Sequence, residues 1–384
     1  MITVGILLPG STLYPSIGAD FLNGIKSCFN YHNYFDVTYK VAIIGYGLDE
    51  KEIYNESEKL LIIENADIVI AYISDTHAVK LSPLFKSTGK LLLIANSGAN
   101  YPENSSSEIS NTIFHNLNDS LCCFLTGKYA AIRNENKNAI LATSFFDGGY
   151  RHTHSISNNY NNYGGSIFYN YVSHYKKEEF NTESLEDFVR GNPDVRNMLA
   201  VFSGDAARLF YKKVMESIEL KKIQWYGSPM MFDSTPGDFD DAKPLLPTKI
   251  QGYTHWIPEL NNDLNRSFIE HYKSTNNQEA NLFSMHGWEC ALLIQEYVKL
   301  LNKDKNVKTV TEHLIGTEIN SPRGKISLNR DHYILAPAYL VSASGLLDIT
   351  IEETITDTSI VWQELLAQIT SEFYSSWRNT YLCI

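Results

Sequence analysis

ITVGILL (residues 2–8), PGSTLYPSIG (9–18) and ADFLNGIKSCFN (19–30) open the chain, and the reading of this stretch decides the fold. Seven residues with almost no in/out alternation read as a strand buried on both faces. Phe21, Ile25, Cys28 and Phe29, three and four residues apart beyond the Gly/Ser/Pro loop, read as one face of a helix. The unit then recurs. Residues 37–44 are β-rich, and the stretch 49–64 puts Ile53, Ser57, Leu60 and Leu61 on one face with Asp49 placed to cap it. Residues 68–73 form a third apolar run, 78–85 a short helix and 91–95 a fourth run, followed by a turn-rich stretch over 96–111. Strands without alternation, separated by amphipathic helices, predict a parallel sheet covered on both faces.

The same grammar restarts downstream. Helices are expected over 121–132, 154–163 (stopped by Gly164-Gly165), 185–190 and 206–218, and strands over 139–142, 166–172, 198–202 and 223–226. After residues 252–256 a long helical stretch begins at 264–272. It continues over 283–301, with Gly287, Ala291, Ile294, Val298 and Leu301 on a single stripe. The tail from Lys325 is β-rich and ends in a helix near 362–373, expected to pack on the second lobe. The fold class is therefore α/β: two doubly wound parallel-sheet lobes, without a Gly/Ser linker, so that several chain crossings form a hinge.

Composition sets outer limits. The 384 residues predict about two domains, and 43% hydrophobic with 20% charged residues exclude wholesale disorder. A net charge of −12 has the wrong sign for tracking phosphate backbones or anionic lipid, so nucleic acid is not an expected partner. Cys28, Cys122, Cys123, Cys290 and Cys383 lack the spacing of a disulfide framework or zinc knuckle and read as reduced thiols, Cys122-Cys123 as packing. No apolar run approaches the ~20 residues that span a bilayer, so no direct membrane insertion is expected. Residues 2–8 read as a strand rather than a secretory leader, so either Met1 starts a cytoplasmic protein or a leader has been removed.

Ligands of open parallel sheets bind outside the carboxyl ends of the strands. The loops there are 9–18, Ser74-Asp75-Thr76-His77, 96–102 and, in the second lobe, 143–152. Their hydroxyls and small residues beside helix N-termini suit a carboxylate or similar anion. Ser74, Thr76 and Ser97 would equally serve as helix caps, and Tyr14, Phe146, Tyr150 and Trp256 would equally fill cores. His77 and His152 are placed to donate hydrogen bonds. His152-Thr153-His154 lacks a third ligand at metal spacing, Gly45-Tyr46-Gly47 lacks the rest of a dinucleotide fingerprint, and no phosphate loop or nucleophile elbow is present. No cofactor or metal is expected.

The order of these stretches resembles the type I periplasmic solute-binding proteins, in particular the branched-chain amino-acid (Leu/Ile/Val) binding family of ABC transporters. The resemblance covers about residues 1–345. It is carried by VGILLPGSTLYPSIGADFLNGIKSCFN, by IIENADIVIAYISDTHAVKLSPLFKSTGKLLLIANSGANYP, by RSFIEHYKSTNNQEANLFSMHGWECALLIQEYV and by INSPRGKISLNRD. It implies a clam-shell of two lobes joined by three crossings: 1–117 plus 256–322, and 118–255 plus 323–384. It also implies that Ser74, Asp75, Thr76, His77, Ser97, Gly98 and Ala99 hold the ligand's carboxylate and ammonium. Tyr14, Phe146, Asp147, Tyr150, Met230 and Trp256 would complete the site. The family's amino-acid binders place an acidic residue just after the strand matching 223–226. This chain has Ser228-Pro229-Met230-Met231-Phe232 there, leaving Asp75, Asp147 or Asp233 to supply that charge.

The function implied is non-catalytic capture of a small polar or amphipathic ligand, an amino acid or related compound, for uptake through an ABC permease in the cell envelope. The alternatives are a cytoplasmic amide-sensor-like regulator with a protein partner, and an α/β enzyme.

Overall fold

The computed structural model describes residues 1–34, 36–100, 111–233, 235, 249–303, 306–345 and 348–368; Phe373, the expected end of the last helix, and Cys383 lie outside them. The chain begins β1 (Ile2–Leu8), α1 (Ile17–Tyr31), β2 (Val37–Ile43), α2 (Glu50–Ile62), β3 (Ile68–Tyr72), α3 (Asp75–Thr88) and β4 (Leu91–Asn96). Asp49 caps α2 as its position predicts, its carboxylate accepting from the N–H groups of Lys51 and Glu52 at 2.9 and 3.0 Å. Beyond the turn-rich stretch 96–111, where the sequence predicts no element before 121, lies a further strand, β5 (Thr112–Asn116), which completes a parallel sheet in the order β2-β1-β3-β4-β5. With two apolar residues in five, β5 carries little periodic signal, yet tertiary packing buries it throughout.

The second half runs α4 (Asp119–Arg133), β6 (Asn138–Thr143), α5 (Arg151–Asn162), β7 (Ser166–Val172), α6 (Glu183–Gly191), β8 (Asn197–Val201), α7 (Gly204–Glu216), β9 (Gln224–Gly227) and β10 (Ile250–Thr254). Next come α8 (Asp263–Asn276), α9 (Leu282–Leu301), α10 (Val307–Leu314), β11 (Glu318–Ser321), β12 (Gly324–Leu328), β13 (Ile334–Leu335), β14 (Ala338–Gly345), β15 (Asp348–Ile355) and α11 (Ser359–Ala367). The second sheet has the order β15-β14-β10-β9-β8-β6-β7. It is parallel from β7 to β10 but closes with antiparallel β14 and β15, so the second lobe is mixed rather than wholly parallel.

The helical stretch expected across 264–301 is two helices. Asn277 ends α8 in the left-handed region (φ 53°), and Asn281 starts α9 in a capping box with Ser284. Helix α9 returns to lie on α1, in the first lobe. The crossing is close because Gly24 and Gly287 face the opposing backbone: a Cβ on either would stand 2.0 Å from a carbonyl oxygen, Ser284 O or Phe21 O. Gly127 plays the same part between α4 and α5, with Ile156 O at 2.2 Å from a Cβ built there.

Three chain passages connect the sheets, after β5, after β10 and before β14. They are tied to one another. Asp119 Oδ1 lies 2.9 Å from His255 Nε2, both buried, and Asn118 Nδ2 donates to Ile334 O at 3.4 Å. The expected boundary between residues 322 and 323 falls inside the small sheet β11-β12-β13, which abuts β5: Phe114 stacks on Tyr333, ring centroids 4.6 Å apart. Helix α11 is not confined to the second lobe. Trp362 donates from Nε1 to Asp331 at 3.1 Å and packs against Tyr333, while Glu364 reaches Lys128 on α4. Cys28, Cys122, Cys123 and Cys290 are free and buried, and no helix of the described residues is long and apolar enough to cross a membrane.

Candidate functional site

The loops at the carboxyl ends of the two sheets meet. Tyr14, two loop residues short of a helix and yet buried, packs edge-on against Phe283 at 5.1 Å and crosses to the second lobe, where its hydroxyl accepts from Gly204 N–H at 2.9 Å. Burial, reinforced by the charges of Asp233 and Asp147, pushes its phenol well above the ordinary range, so it stays protonated. Leu13, Ala99, Phe146 and Tyr150 form an apolar cluster beside it, drawn from both lobes.

Ser97-Gly98-Ala99 forms the first-lobe wall. Gly98 has φ 71°, and a Cβ there would lie 2.9 Å from Asn116 Oδ1 and Asn118 N, so only glycine fits. Its N–H donates to Asn96 Oδ1 at 2.9 Å, and Ala99 N–H donates to Ser97 Oγ at 3.2 Å. The carbonyls of Ser97 and Gly98 accept from the first amides of α4 at 3.1 and 2.9 Å. Ala99 O accepts from Ser120 Oγ at 2.9 Å and, across the lobes, from His152 N–H at 2.8 Å. Arg151 N–H likewise donates to Asn100 Oδ1 at 3.3 Å. Two orphan amides at the start of α5, which has no side-chain cap of its own, are thus satisfied by the opposite lobe.

The second-lobe wall is acidic. Asp147 accepts from Ser144 Oγ at 2.6 Å and Ser203 Oγ at 2.9 Å; burial raises its carboxyl above the ordinary value, while His152 and these hydroxyls pull it back. His152 Nε2 stands 3.9 Å from Asp147 Oδ1, and neither nitrogen of this buried ring has a hydrogen-bond partner. Asp205 pairs with Lys177 at 2.5 Å and lies 4.0 Å from Arg208. Asp233 Oδ1 accepts from Thr235 N–H at 3.1 Å and its hydroxyl at 2.8 Å, and the same carboxylate is within hydrogen-bonding reach of the Tyr14 hydroxyl. Met230 is buried on the turn Pro229–Met231 that precedes Asp233.

The remaining expected residues have partners of their own. Asp75 accepts from Asn96 Nδ2 at 2.7 Å and Tyr333 Oη at 2.8 Å, which ties β4 to the small sheet. Ser74 Oγ lies 3.1 Å from His77 Nδ1, and His77 lines a surface groove with Glu50, Tyr54 and Lys80. Thr76 is half-buried. Trp256 donates from Nε1 to Asn265 at 2.9 Å and packs on Phe268, inside the core. Sequence reading missed Ser203, Gly204 and Asp205, although the same loop rule, applied after the 198–202 run, points to them.

Behind the first-lobe wall is a buried ionic cluster. Arg323 Nε donates to both oxygens of Glu289 at 3.0 and 2.9 Å, Ser321 Oγ adds a bond at 2.6 Å, and His115 Nε2 lies at 3.1 Å. Although burial opposes ionisation, Arg323 and His115 hold the Glu289 carboxyl below the usual carboxylate range. Among the described residues, His115, His286 and Cys290 form the one group of three side chains close enough to share a metal, and all are buried in the core.

A family model described as periplasmic binding protein matches residues 1–345. Comparison with curated proteins gives no match. Among solved structures, an ABC transporter substrate-binding protein from Sphaerobacter thermophilus superposes with TM-score 0.76 at 13% identity, covering 93% of this chain and 98% of that one. A solute-binding protein of an R. palustris ABC transporter, in complex with benzoate, gives 0.70 at 17% over 93% and 98%. An amino acid ABC transporter substrate-binding protein from Pseudomonas fluorescens Pf-5 gives 0.70 at 11% over 94% and 97%.

Proposed function

We propose, from the premise that this chain belongs to the periplasmic binding protein family, that it captures one small amphipathic organic molecule between its lobes and releases it unaltered to an ABC permease of the cell envelope. The observation that carries this reading is the meeting of two sheet-end loop sets across the chain, Tyr14 with Gly204 and Ala99 with His152. A ligand touching both walls binds the closed arrangement better than the open one, and that difference shifts the equilibrium a permease reads. Tyr14, Ala99, Phe146, Tyr150 and Met230 supply apolar surface, and Ser97, Gly98 and Asp147 shape the polar end. Ser74, Thr76 and His77 stand at the edge, while Asp75 and Trp256 support the walls. An amino acid or related compound matches this mixture. The relatives named above include both an amino-acid transporter component and one complexed with benzoate, so the test spans both classes. A thermal-shift panel of amino acids, amides, amines and aromatic acids should yield at least one compound that raises the melting temperature and contracts the protein in small-angle scattering. Turnover of that compound would refute the proposal.

A further inference from the structure

We infer that His115, His286 and Cys290 form a binding site for a thiophilic metal ion of single charge, Cu(I), which fastens α9 to β5 inside the first lobe. Strand β5 supplies His115, and α9 presents His286 and Cys290 four residues apart, on one face of the helix. All three side chains are fully buried, and one nitrogen of each ring and the Cys290 sulfur lie within 4.8 Å of one another. Around one ion such atoms stand roughly 3.5–3.8 Å apart, so the three close on it by shifts of about 1 Å.

The bonds around the two rings point to an ion more strongly than their proximity does. His286 Nε2 lies 2.8 Å from the carbonyl oxygen of His115, which can only accept, and His115 Nε2 lies 3.1 Å from the Glu289 carboxylate. Both neutral rings therefore carry their proton on Nε2 and leave a bare lone pair on Nδ1, and neither Nδ1 has a hydrogen-bond partner. A carboxylate and a backbone carbonyl are among the groups that ordinarily hold the far nitrogen of a metal-bound imidazole, and here both are in place. Two buried lone pairs without a donor are costly, and one soft cation satisfies both.

Charge selects the ion. Glu289 is already matched by Arg323, whose Nε donates to both of its oxygens. Cu(I) displaces the Cys290 thiol proton, which leaves to solvent, so one positive charge replaces another and no electron moves. Zn(II) on the same three ligands would leave an unbalanced positive charge in the core close to Arg323. Two imidazoles and a thiolate also suit a soft ion in three-coordination. Because His115 and His286 are 171 residues apart in the chain and both are buried, the ion enters as α9 docks.

The test is copper retention by the full-length protein, folded in the presence of Cu(I) under reducing, oxygen-free conditions and desalted against bicinchoninate. One equivalent should be retained, the unfolding midpoint should rise, and X-ray absorption should show one sulfur and two nitrogen ligands. Cys290→Ala should lower copper affinity at least tenfold, whereas Cys123→Ala, which removes a buried thiol outside the cluster, should keep it. The absorption spectrum of the unsubstituted protein decides the ligand set even where Cys290→Ala does not fold. No retained copper, undiminished affinity in Cys290→Ala, or a spectrum without sulfur would overturn the site. Tighter retention of Zn(II) than of Cu(I) would overturn the choice of a singly charged ion.

Discussion

Glu289 and Arg323 are fully buried and hold one another, so each is the other's solvation. Removing one partner leaves a charge stranded in the core: Glu289→Gln should cost about 3–5 kcal/mol in chemical denaturation, and the double change Glu289→Leu with Arg323→Met should recover most of it. The neighbouring His115 and His286 are held below the ordinary imidazole value, chiefly by burial. Both resist protonation in the folded protein, His286 the more strongly, while the unfolded chain takes up protons near pH 6.5. Stability is therefore full above that value and declines as pH falls through it, by up to about 1.4 kcal/mol per pH unit for each histidine. The depressed Glu289 carboxyl adds a further loss once pH drops below the unfolded carboxylate range. Unfolding midpoints measured from pH 8 to 5 should show the decline, and His286→Gln should flatten it. None of these partnerships is legible in sequence, since His115, Glu289 and Arg323 lie far apart in the chain. Asp49 is the opposite case, because its partners are two and three residues away.

Elements were legible wherever one periodicity dominated. The apolar runs of β1, β3 and β4 are buried on both faces, which is the property that makes them conspicuous. The strand β5 and the break between α8 and α9 were hidden for opposite reasons: the first has too few apolar residues, and in the second two helical patterns run on across a left-handed Asn277. The Gly24–Gly287 contact was legible only as one member of a helical stripe; that it is a backbone approach required the partner helix. Gly287→Ala should cost about 1–3 kcal/mol, because Phe21 O is backbone and cannot swing aside. Gly89→Ala offers a control with open space around its Cβ, so that only its left-handed φ of 63° is penalised. The start of α5 makes a second case. Asn100→Ala removes an acceptor that the other lobe lends to this helix, and hydrogen exchange at Arg151 should quicken in the mutant.

At the scale of the molecule, the order of strands and helices was enough to indicate two sandwiched lobes, and the loop rule was enough to bring Tyr14, Ser97 and Asp147 under suspicion. Side-chain commitments were beyond it: Asp75 and Trp256 stand in suitable loops but are spent on Tyr333 and Asn265. Ligand binding should stabilise the whole by about 2.7 kcal/mol at a hundredfold excess over Kd, read as a shift in the unfolding midpoint. The return of α9 to α1 has one more outcome, for synthesis. When residue 117 leaves the ribosome, Phe21 already has Tyr72 beside it, but the side of α1 that α9 covers is still open, and that cover, Leu282–Leu301, is made only after the entire second βα series. The half translated first is thus the half finished last, and a nascent chain stalled anywhere before residue 301 presents an uncovered apolar face to whatever chaperone is at hand.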